Sequence, residues 1–257
     1  MNIASRQSFW NSGVKIVKGA YIRSVDGKLG YAISKASPGF GHYRISWRGS
    51  IAAGSPAAGN GWTGPMGTIA YLQGTNEYFR WYVTDPSDSS KWQHAFWNQY
   101  PNVYRSDFPA VYGEDGSTKC GWIVLDQDMT TGTKKASSIY TGELLDNLTL
   151  VNTCYSTINA SVLPAICFGI FGSVSKANAE PCVELSEIDP TQCSIPPAGS
   201  RFFNFKLEKD GVMIHDCYPT LINGTPAIYD VITGEYAAET CGGTAEYGID
   251  SNYKNNS

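Results

Sequence analysis

The segment with the densest concentration of ligand-binding side-chain types is KWQHAFWNQYPNVYR, residues 91–105. It interleaves two tryptophans and two tyrosines with amides and an arginine. Sugar rings carry apolar C–H faces that stack on aromatic rings, while neighbouring polar groups hydrogen-bond the hydroxyls. Together with the tryptophan of the Gly-rich segment GNGWTGPMG, this pattern predicts a ligand-binding set: Trp62, Trp92, Trp97, Tyr100, Asn102, Tyr104 and Arg105.

A protein core is the alternative place for these aromatic residues, because alternating aromatics are also what the interior of a β-sandwich needs. The core is the favoured interpretation for Trp81, Phe96 and Trp122. For Trp62, Trp97 and Tyr100 the two interpretations are balanced.

A pair of carboxylates is the machinery of glycoside hydrolysis. The segment VELSEIDPTQ contains Glu187 and Asp189, which resemble the start of the E-I-D-x-x-E strand of concanavalin-like glucanases. There the two catalytic carboxyl groups lie about 5 Å apart. Here Gln192 replaces the second glutamate, and Pro190 interrupts the strand that would carry it. An amide cannot donate and retrieve a proton, so an acidic surface loop is predicted and no enzyme activity.

Metal-binding patterns are weak. His42, His94 and His215 have no metal-ligand spacing and are interpreted as lone surface or strand histidines. Two aspartate pairs could contribute to a Ca²⁺ site, which takes several oxygen ligands, although solvated turn residues are the favoured interpretation. These pairs are Asp126 with Asp128 and Asp85 with Asp88. No cofactor is predicted, with Ca²⁺ left open.

The seven cysteines all lie between residues 120 and 241, and none forms a CxxC motif. A disulfide between Cys182 and Cys193 is compatible with their spacing, but buried thiols are favoured because nothing in the sequence indicates export. The first residues lack the charged and apolar regions of a secretory signal. No apolar run approaches the roughly 20 residues of a membrane helix.

Composition favours a compact β protein. The chain has 257 residues, of which 42% are hydrophobic and only 16% charged. Glycine, tyrosine and tryptophan are abundant, which argues against both disorder and a helix-rich fold. The net charge is −4 without a long basic run, so no nucleic-acid partner is predicted.

Short β-branched and aromatic segments alternate with turns rich in Gly, Pro, Asp and Ser, which predicts a single antiparallel β-sandwich. The domain spans residues 1–257, with roughly the first 12 and last 10 residues loose. GELLDNLTLVNTCYSTI is predicted as strand, with a short helix left open. The predicted strands are Val14–Val17, His42–Trp47, Thr68–Leu72, Tyr78–Val83, Trp92–Trp97 and Trp122–Leu125.

The end of the chain predicts two successive hairpins. In FFNFKLEKDGVMI the alternation places Phe203, Phe205 and Leu207 on one face, and Asp210-Gly211 suits a tight turn. The return strand covers residues 212–217, a Pro-containing turn follows, and AIYDVITGEYA forms the second unit. The residues predicted to enter the core are Phe203, Phe205, Ile228 and Tyr229.

These motifs, with HDCYPTL and GTPAIYDVITGEY, resemble the carboxy-terminal ending of laminin-G-like, concanavalin A-like jelly-roll modules. Such modules are found in phage tail proteins and gut bacterial surface proteins. The resemblance covers about 45 residues, and upstream PAICFGIFGS resembles the preceding strand. The insertion ANAEPCVELSEIDPTQCSIPPAG and the sequence HDC depart from the pattern.

The resemblance implies a jelly-roll sandwich that binds a glycan or a host surface, located on a virion or cell surface. A purely structural virion or cell-surface subunit, with homo-oligomer or virion neighbours as partners, is the alternative. A glycoside hydrolase or lyase comes third. No nucleic-acid partner and no membrane insertion are expected.

Overall fold

The structure is a computed structural model that describes residues 13–34, 39–50, 52, 67–71, 78–84, 92–97, 103–108, 121–158, 167–172, 182, 184–191, 193 and 196–253. For strands β4–β7 and part of β10, only the backbone is described. The strands are β1 (Ala20–Ser24), β2 (Tyr31–Ile33), β3 (His42–Ser50), β4 (Gly67–Tyr71), β5 (Tyr78–Thr84), β6 (Trp92–Trp97), β7 (Val103–Phe108), β8 (Gly121–Asp128), β9 (Gly132–Leu144), β10 (Asn147–Ile158), β11 (Phe168–Phe171), β12 (Arg201–Lys209), β13 (Val212–Ile222), β14 (Thr225–Asp230), β15 (Ala238–Glu239) and β16 (Ala245–Ile249). A 3-10 turn covers Leu185–Glu187.

The largest sheet has nine antiparallel strands. Its main path runs β10-β9-β8-β3-β12-β1-β16, and β13 and β14 extend from the far end of β12. Strand β12 is central because β3 pairs along one of its edges, whereas β1 and β13 share the other edge. A strand from the end of the chain therefore lies in the middle of the sheet.

A three-stranded sheet, β11-β2-β15, packs against one face of the nine-stranded sheet. The ring of Phe168 lies 5.3 Å from that of Phe205, and the ring of Phe171 lies 6.0 Å from that of Phe202. The Trp47 indole also donates a hydrogen bond of 3.0 Å to the carbonyl of Ile170. The predicted all-β antiparallel sandwich is confirmed.

A four-stranded sheet, β4-β5-β6-β7, contains the aromatic-rich strands of the middle of the chain. Strand β4 lies beside β11, so this sheet adjoins the three-stranded one. The predicted bounds of β6, Trp92–Trp97, are matched. Within the described part of the chain, no helix has the length and apolar character needed to cross a membrane.

The two terminal hairpins have the turns that their sequences favour. Asp210 and Gly211 both have positive φ, 52° and 76°, as a tight hairpin of this kind requires. Asn223 and Gly224, at 50° and 83°, form the second turn. The prediction that this second turn includes the proline is wrong, because β13 continues through Pro219 to residue 222. Since β12 pairs with β13 only as far as residue 217, no ladder bond on that side is needed at the proline.

A β-bulge changes the predicted alternation of β12. The register with β3 shifts between Phe202 and Asn204, so that Phe203 is the extra residue. Phe202 and Phe205 enter the core, whereas Phe203 is buried on the opposite face against Tyr21. The prediction that Phe203 shares a face with Phe205 is therefore wrong, although its burial is confirmed.

Of the other predicted core residues, Phe205 and Ile228 join the main core, whereas Tyr229 and Trp122 are buried but lie outside that cluster. The predicted strand Val14–Val17 is wrong, because this segment has no regular structure and the first strand begins at residue 20. The segment of β9 and β10 is strand, as predicted, with a tight turn at residues 145–146.

Candidate functional site

The nine-stranded sheet has a second face, turned away from the core, which we call the outer face. In β3, Trp47 joins the core, and Ser46 and Arg48 lie on the outer face because successive residues alternate. The register places Trp122 of β8 beside Arg48, and Lys206 of β12 beside Ser46. We call the group that results the outer-face cluster: Ser46, Arg48, Trp122, Asn204, Lys206, Asp216 and Tyr218.

The Asp216 carboxylate is the centre of one half of the cluster. It accepts hydrogen bonds from the Asn204 amide at 3.1 Å, the Lys206 ammonium at 2.8 Å and the Tyr218 hydroxyl at 3.1 Å. The Asn204 amide also donates to the carbonyl of Cys217 at 2.9 Å. Burial, followed by the Asp216 charge, raises the pKa of Tyr218. The half-buried tyrosine is therefore a neutral hydroxyl fixed beside an ion pair.

The other half of the cluster is centred on the Arg48 guanidinium, which lies beside two aromatic rings. The Cζ atom of Arg48 lies 3.9 Å from the ring centroid of Tyr253 and 5.8 Å from that of Trp122. Tyr253 stacks in turn on Phe203, with ring centroids 5.7 Å apart. Cation–π contact and burial fix the arginine, which is only 3% exposed.

Three buried polar atoms of the cluster have no hydrogen-bond partner among the described residues. They are Arg48 Nε, Ser46 Oγ and Trp122 Nε1. Native proteins pair the great majority of their buried polar atoms, and an unpaired one costs about 1–3 kcal/mol. These two N–H donors and one hydroxyl can each take a further partner that carries an oxygen atom, either water or a ligand.

An ion-paired row borders the cluster on the same face. The Asp126 carboxylate contacts His42 Nε2 at 2.7 Å and Arg44 Nη1 at 3.7 Å. All three side chains are partly exposed, so the row adds charged groups that solvent or a ligand can reach. Asp126 and Asp128, one of the two aspartate pairs considered for Ca²⁺, lie on the same face of β8.

Asp128 has a structural role in a turn. Its carboxylate accepts hydrogen bonds from the Thr130 amide at 2.9 Å and hydroxyl at 2.6 Å, and lies 3.5 Å from Lys135 Nζ. Burial would raise its pKa, but the Thr130 and Lys135 interactions outweigh burial and lower it. No group of three or more possible ligands for a metal occurs in the part of the chain described here. The second predicted aspartate pair, Asp85 and Asp88, lies outside the described residues.

A buried histidine–aspartate pair is a feature that sequence reasoning missed. His215 Nδ1 lies 2.6 Å from the Asp230 carboxylate, which is 2% exposed. The carboxylate also accepts hydrogen bonds from the Asp216 and Ile232 amides and the Thr233 hydroxyl. Burial would raise the pKa of Asp230, but these bonds, that from His215 first, outweigh burial and lower it. The interpretation as lone histidines is therefore wrong for His215, and also for His42, which contacts Asp126.

Both members of this pair line a cleft of about 40 Å³, which has room for ordered water but not for a sugar ring. The pair holds the turn after β14 against β13. The sequence offers one sign of this pair, the aspartate in AIYD. That aspartate reaches His215 only because β13 and β14 pair.

The acidic segment Glu187–Asp189 is a surface loop, as predicted. Glu187 ends the 3-10 turn and accepts a hydrogen bond from the amide of Glu184. Asp189 accepts hydrogen bonds from the amide and hydroxyl of Thr191. These carboxylates stabilise turns on the surface rather than facing each other across a groove.

The structure describes only part of the site predicted from the sequence. In the register of β6 and β7, positions Trp97 and Arg105 fall on one face of the four-stranded sheet, and positions Trp92 and Tyr104 fall on the other. The set stays a prediction. Its members outside the described residues are Trp62, Tyr100 and Asn102.

No protein-family model matches the chain, and no curated protein matches it in sequence. Among solved structures, the native heptameric SAP-like pentraxin from Limulus polyphemus is similar over 92% of this chain and 97% of its own, with 8% identity and a TM-score of 0.47. Scytalido-glutamic peptidase with a transition state analog inhibitor is similar over 82% of this chain and 91% of its own, with 14% identity and a TM-score of 0.32. SCP-B, a member of the eqolisin family of peptidases, in complex with a tripeptide, is similar over 82% of this chain and 90% of its own, with 13% identity and a TM-score of 0.29. At these identities and TM-scores, no residue role is carried over to this chain.

The outer-face cluster combines aromatic rings, a carboxylate, an ammonium and an amide over four neighbouring strands, with three polar atoms that no described residue pairs. This is the chemistry of a site for a neutral or acidic ligand rich in hydroxyl groups. No sequence pattern could group these residues, because they come from strands separated by most of the chain.

Proposed function

We propose that the protein is a carbohydrate-recognition module that binds a glycan at the outer-face cluster. The observation that carries this proposal is that buried polar atoms of Arg48, Ser46 and Trp122 have no hydrogen-bond partner within the described ranges of the chain. A sugar hydroxyl both donates and accepts hydrogen bonds, so one ring can satisfy several of these atoms. A sugar carboxylate would add charge-assisted bonds to the arginine.

The partly exposed groups beside these atoms supply the approach to the site. Lys206 and Asp216 retain 17% and 14% of their side-chain exposure, and Tyr218 is half-buried beside them. Because Asp216 accepts hydrogen bonds from both Lys206 and Tyr218, these three side chains are ordered before a ligand binds. Such preorganisation reduces the entropic cost of binding.

The proposed setting is the surface of a phage or a bacterial cell, with host glycan as the ligand. This setting is supported by the resemblance of the C-terminal hairpins to laminin-G-like modules. The aromatic segment of residues 91–105 would then be a second contact region or part of the core.

A glycan-array screen of the purified chain, with and without a Ca²⁺ chelator, tests the proposal. Ser46→Ala and Arg48→Met remove polar atoms of the cluster, while Trp62→Ala and Trp97→Ala probe the aromatic set. Loss of an uncharged hydrogen bond should weaken binding about 2- to 10-fold. Glu246→Gln, at the far edge of the sheet, is the matched control and should bind like the wild type. Hits that survive both cluster variants would contradict the proposed site, and a blank array would contradict the proposed function.

A second candidate function is assembly with other subunits. It is favoured by exposed apolar residues on β10, which ends the path of the nine-stranded sheet: Leu150 is 51% exposed and Tyr155 58%. Association through this strand would cover them. Light scattering of wild type and of a Leu150→Lys, Tyr155→Lys variant tests this function: a multimer that the double variant converts to monomer supports assembly, and a monomeric wild type contradicts it.

A further inference from the structure

Four cysteines from distant parts of the chain meet beside the three-stranded sheet. Cys167, Cys182 and Cys193 are each about 1% exposed and form a cluster with Ala32, against which Cys241 packs. Among the described residues, Leu185 and Ile188 also pack against this cluster. Thiols therefore take part in the contact between the segment 182–193 and the sheet.

Two of these thiols touch. The Cys193 and Cys241 thiols hydrogen-bond each other, and this bond, followed by burial, raises the pKa of Cys241. Each thiol also has a second hydrogen-bond partner that helps to fix its position. Cys193 Sγ lies 3.4 Å from the carbonyl of Asp189, and Cys241 Sγ lies 3.3 Å from Thr240 Oγ1.

The backbone also positions Cys241. Thr240 donates its amide hydrogen to the carbonyl of Gly30 at 3.0 Å, continuing the ladder between β15 and β2. A Cβ atom on Gly30 would lie 2.8 Å from Thr240 Oγ1 and 3.1 Å from Cys241 Sγ. The glycine thus leaves the space in which the thiol of Cys241 meets that of Cys193.

We infer that Cys193 and Cys241 form a disulfide that fastens the segment 182–193 to the three-stranded sheet. With oxidised glutathione as the oxidant, one thiolate attacks a glutathione sulfur and expels one glutathione thiolate. The second cysteine then attacks the mixed disulfide and expels the other. The two protein thiols lose two electrons and two protons, and one oxidised glutathione becomes two reduced glutathiones.

The bond forms during folding rather than in the folded protein. The raised pKa of Cys241 keeps its thiolate fraction low in the folded state, so exchange there is slow. In a refolding chain both thiols are exposed. The disulfide then closes a long loop, and its stabilising effect grows with loop length in the chain-entropy description.

The test is refolding of the full chain in a glutathione redox buffer, followed by non-reducing peptide mapping and a thiol count under denaturing conditions. We expect a cross-linked peptide joining Cys193 to Cys241 and the loss of two thiols. The midpoint of thermal unfolding should rise by about 5–15 °C over the reduced protein. Retention of all thiols would overturn the inference, and so would a link between Cys182 and Cys193.

Three variants make the test specific. Cys193→Ala and Cys241→Ala should each abolish both the cross-link and the redox dependence of the unfolding midpoint. Cys167→Ala, in the same cluster, is the matched control and should retain both. A redox-dependent midpoint that persists in the first two variants would assign the effect to other cysteines and overturn the inference.

Discussion

The two faces of the nine-stranded sheet bury neighbouring residues for different reasons. On the inner face, Trp47 fills the core, and its indole N–H has a partner in the carbonyl of Ile170. On the outer face, Arg48 is buried almost as completely, but its Nε atom has no partner among the described residues. On the inner face, aromatic rings pack against the three-stranded sheet, whereas on the outer face Ser46 Oγ, Arg48 Nε and Trp122 Nε1 have no hydrogen-bond partner among the described residues. The outer face is therefore where we propose that a ligand binds.

The largest effect is expected at Trp47. Replacement by alanine removes a fully buried ring and its hydrogen bond between the two layers, which should lower the free energy of unfolding by about 3–5 kcal/mol. Chemical denaturation monitored by far-UV circular dichroism measures this change. Trp47→Phe keeps most of the ring and should lose less. A loss below about 1 kcal/mol for alanine would mean that the inner face is not the main core.

The next largest effect is expected at Asp230, a buried polar group that is fully satisfied. Asp230→Asn removes the charge that pairs with His215, at an expected cost of about 2–4 kcal/mol near neutral pH. The folded pKa of Asp230 is lowered, so its contribution to stability is present above the unfolded pKa of about 4 and is lost as the pH falls through the folded value.

Denaturation of wild type and Asp230→Asn from pH 3 to pH 7 measures this dependence. The difference in stability between the two proteins should be full at pH 6–7 and shrink below about pH 4. A difference that does not change with pH would show that the lost contribution is packing rather than the carboxylate charge.

Ser46 should behave in the opposite way to these inner-face residues. Its hydroxyl is buried and has no partner in the described part of the chain, so Ser46→Ala should leave the free energy of unfolding unchanged or raise it by up to about 1 kcal/mol. The same substitution should weaken glycan binding. Thermal unfolding and a binding titration on one preparation measure both quantities. Clear destabilisation would contradict the account, because it would show that the hydroxyl already has a partner.

The smallest effect is expected at the exposed edge of the outer face, where Arg23 and Glu246 form an ion pair between β1 and β16. Their side chains are 40% and 48% exposed. Glu246→Gln should therefore cost less than about 1 kcal/mol, and the cost should fall further in high salt. Denaturation at low and high ionic strength measures it. A larger loss that is independent of salt would mean that this edge is part of the folded core.

Local sequence signals predicted the parts of the fold that depend on neighbouring residues. The alternation of hydrophobic and polar residues predicted strands β3, β6 and β8. The dipeptide Asp210-Gly211 predicted the turn between β12 and β13. The bulge at Phe203 was not predictable, because it depends on how β12 fits the register of β3 and β1. A one-residue insertion in a strand leaves no mark in the pattern of hydrophobic residues.

The outer-face cluster and the cysteine pair were beyond sequence reasoning for a related reason. Arg48 and Asn204 become neighbours only because β12 inserts beside β3. The pairing of β15 with β2 brings Cys241 to the cluster that contains Cys193, although these segments are distant in the sequence. The aromatic set predicted from composition remains a prediction, since its side chains lie outside the described part of the structure.

The most direct test of the central claim is a binding titration of wild type, Ser46→Ala and Arg48→Met against the strongest glycan found by array. The account predicts about 2- to 10-fold weaker binding for Ser46→Ala at equal or higher stability, and a larger loss for Arg48→Met. Wild-type affinity in both folded variants would contradict it, and would show that the unpaired atoms of the outer face have no part in recognition.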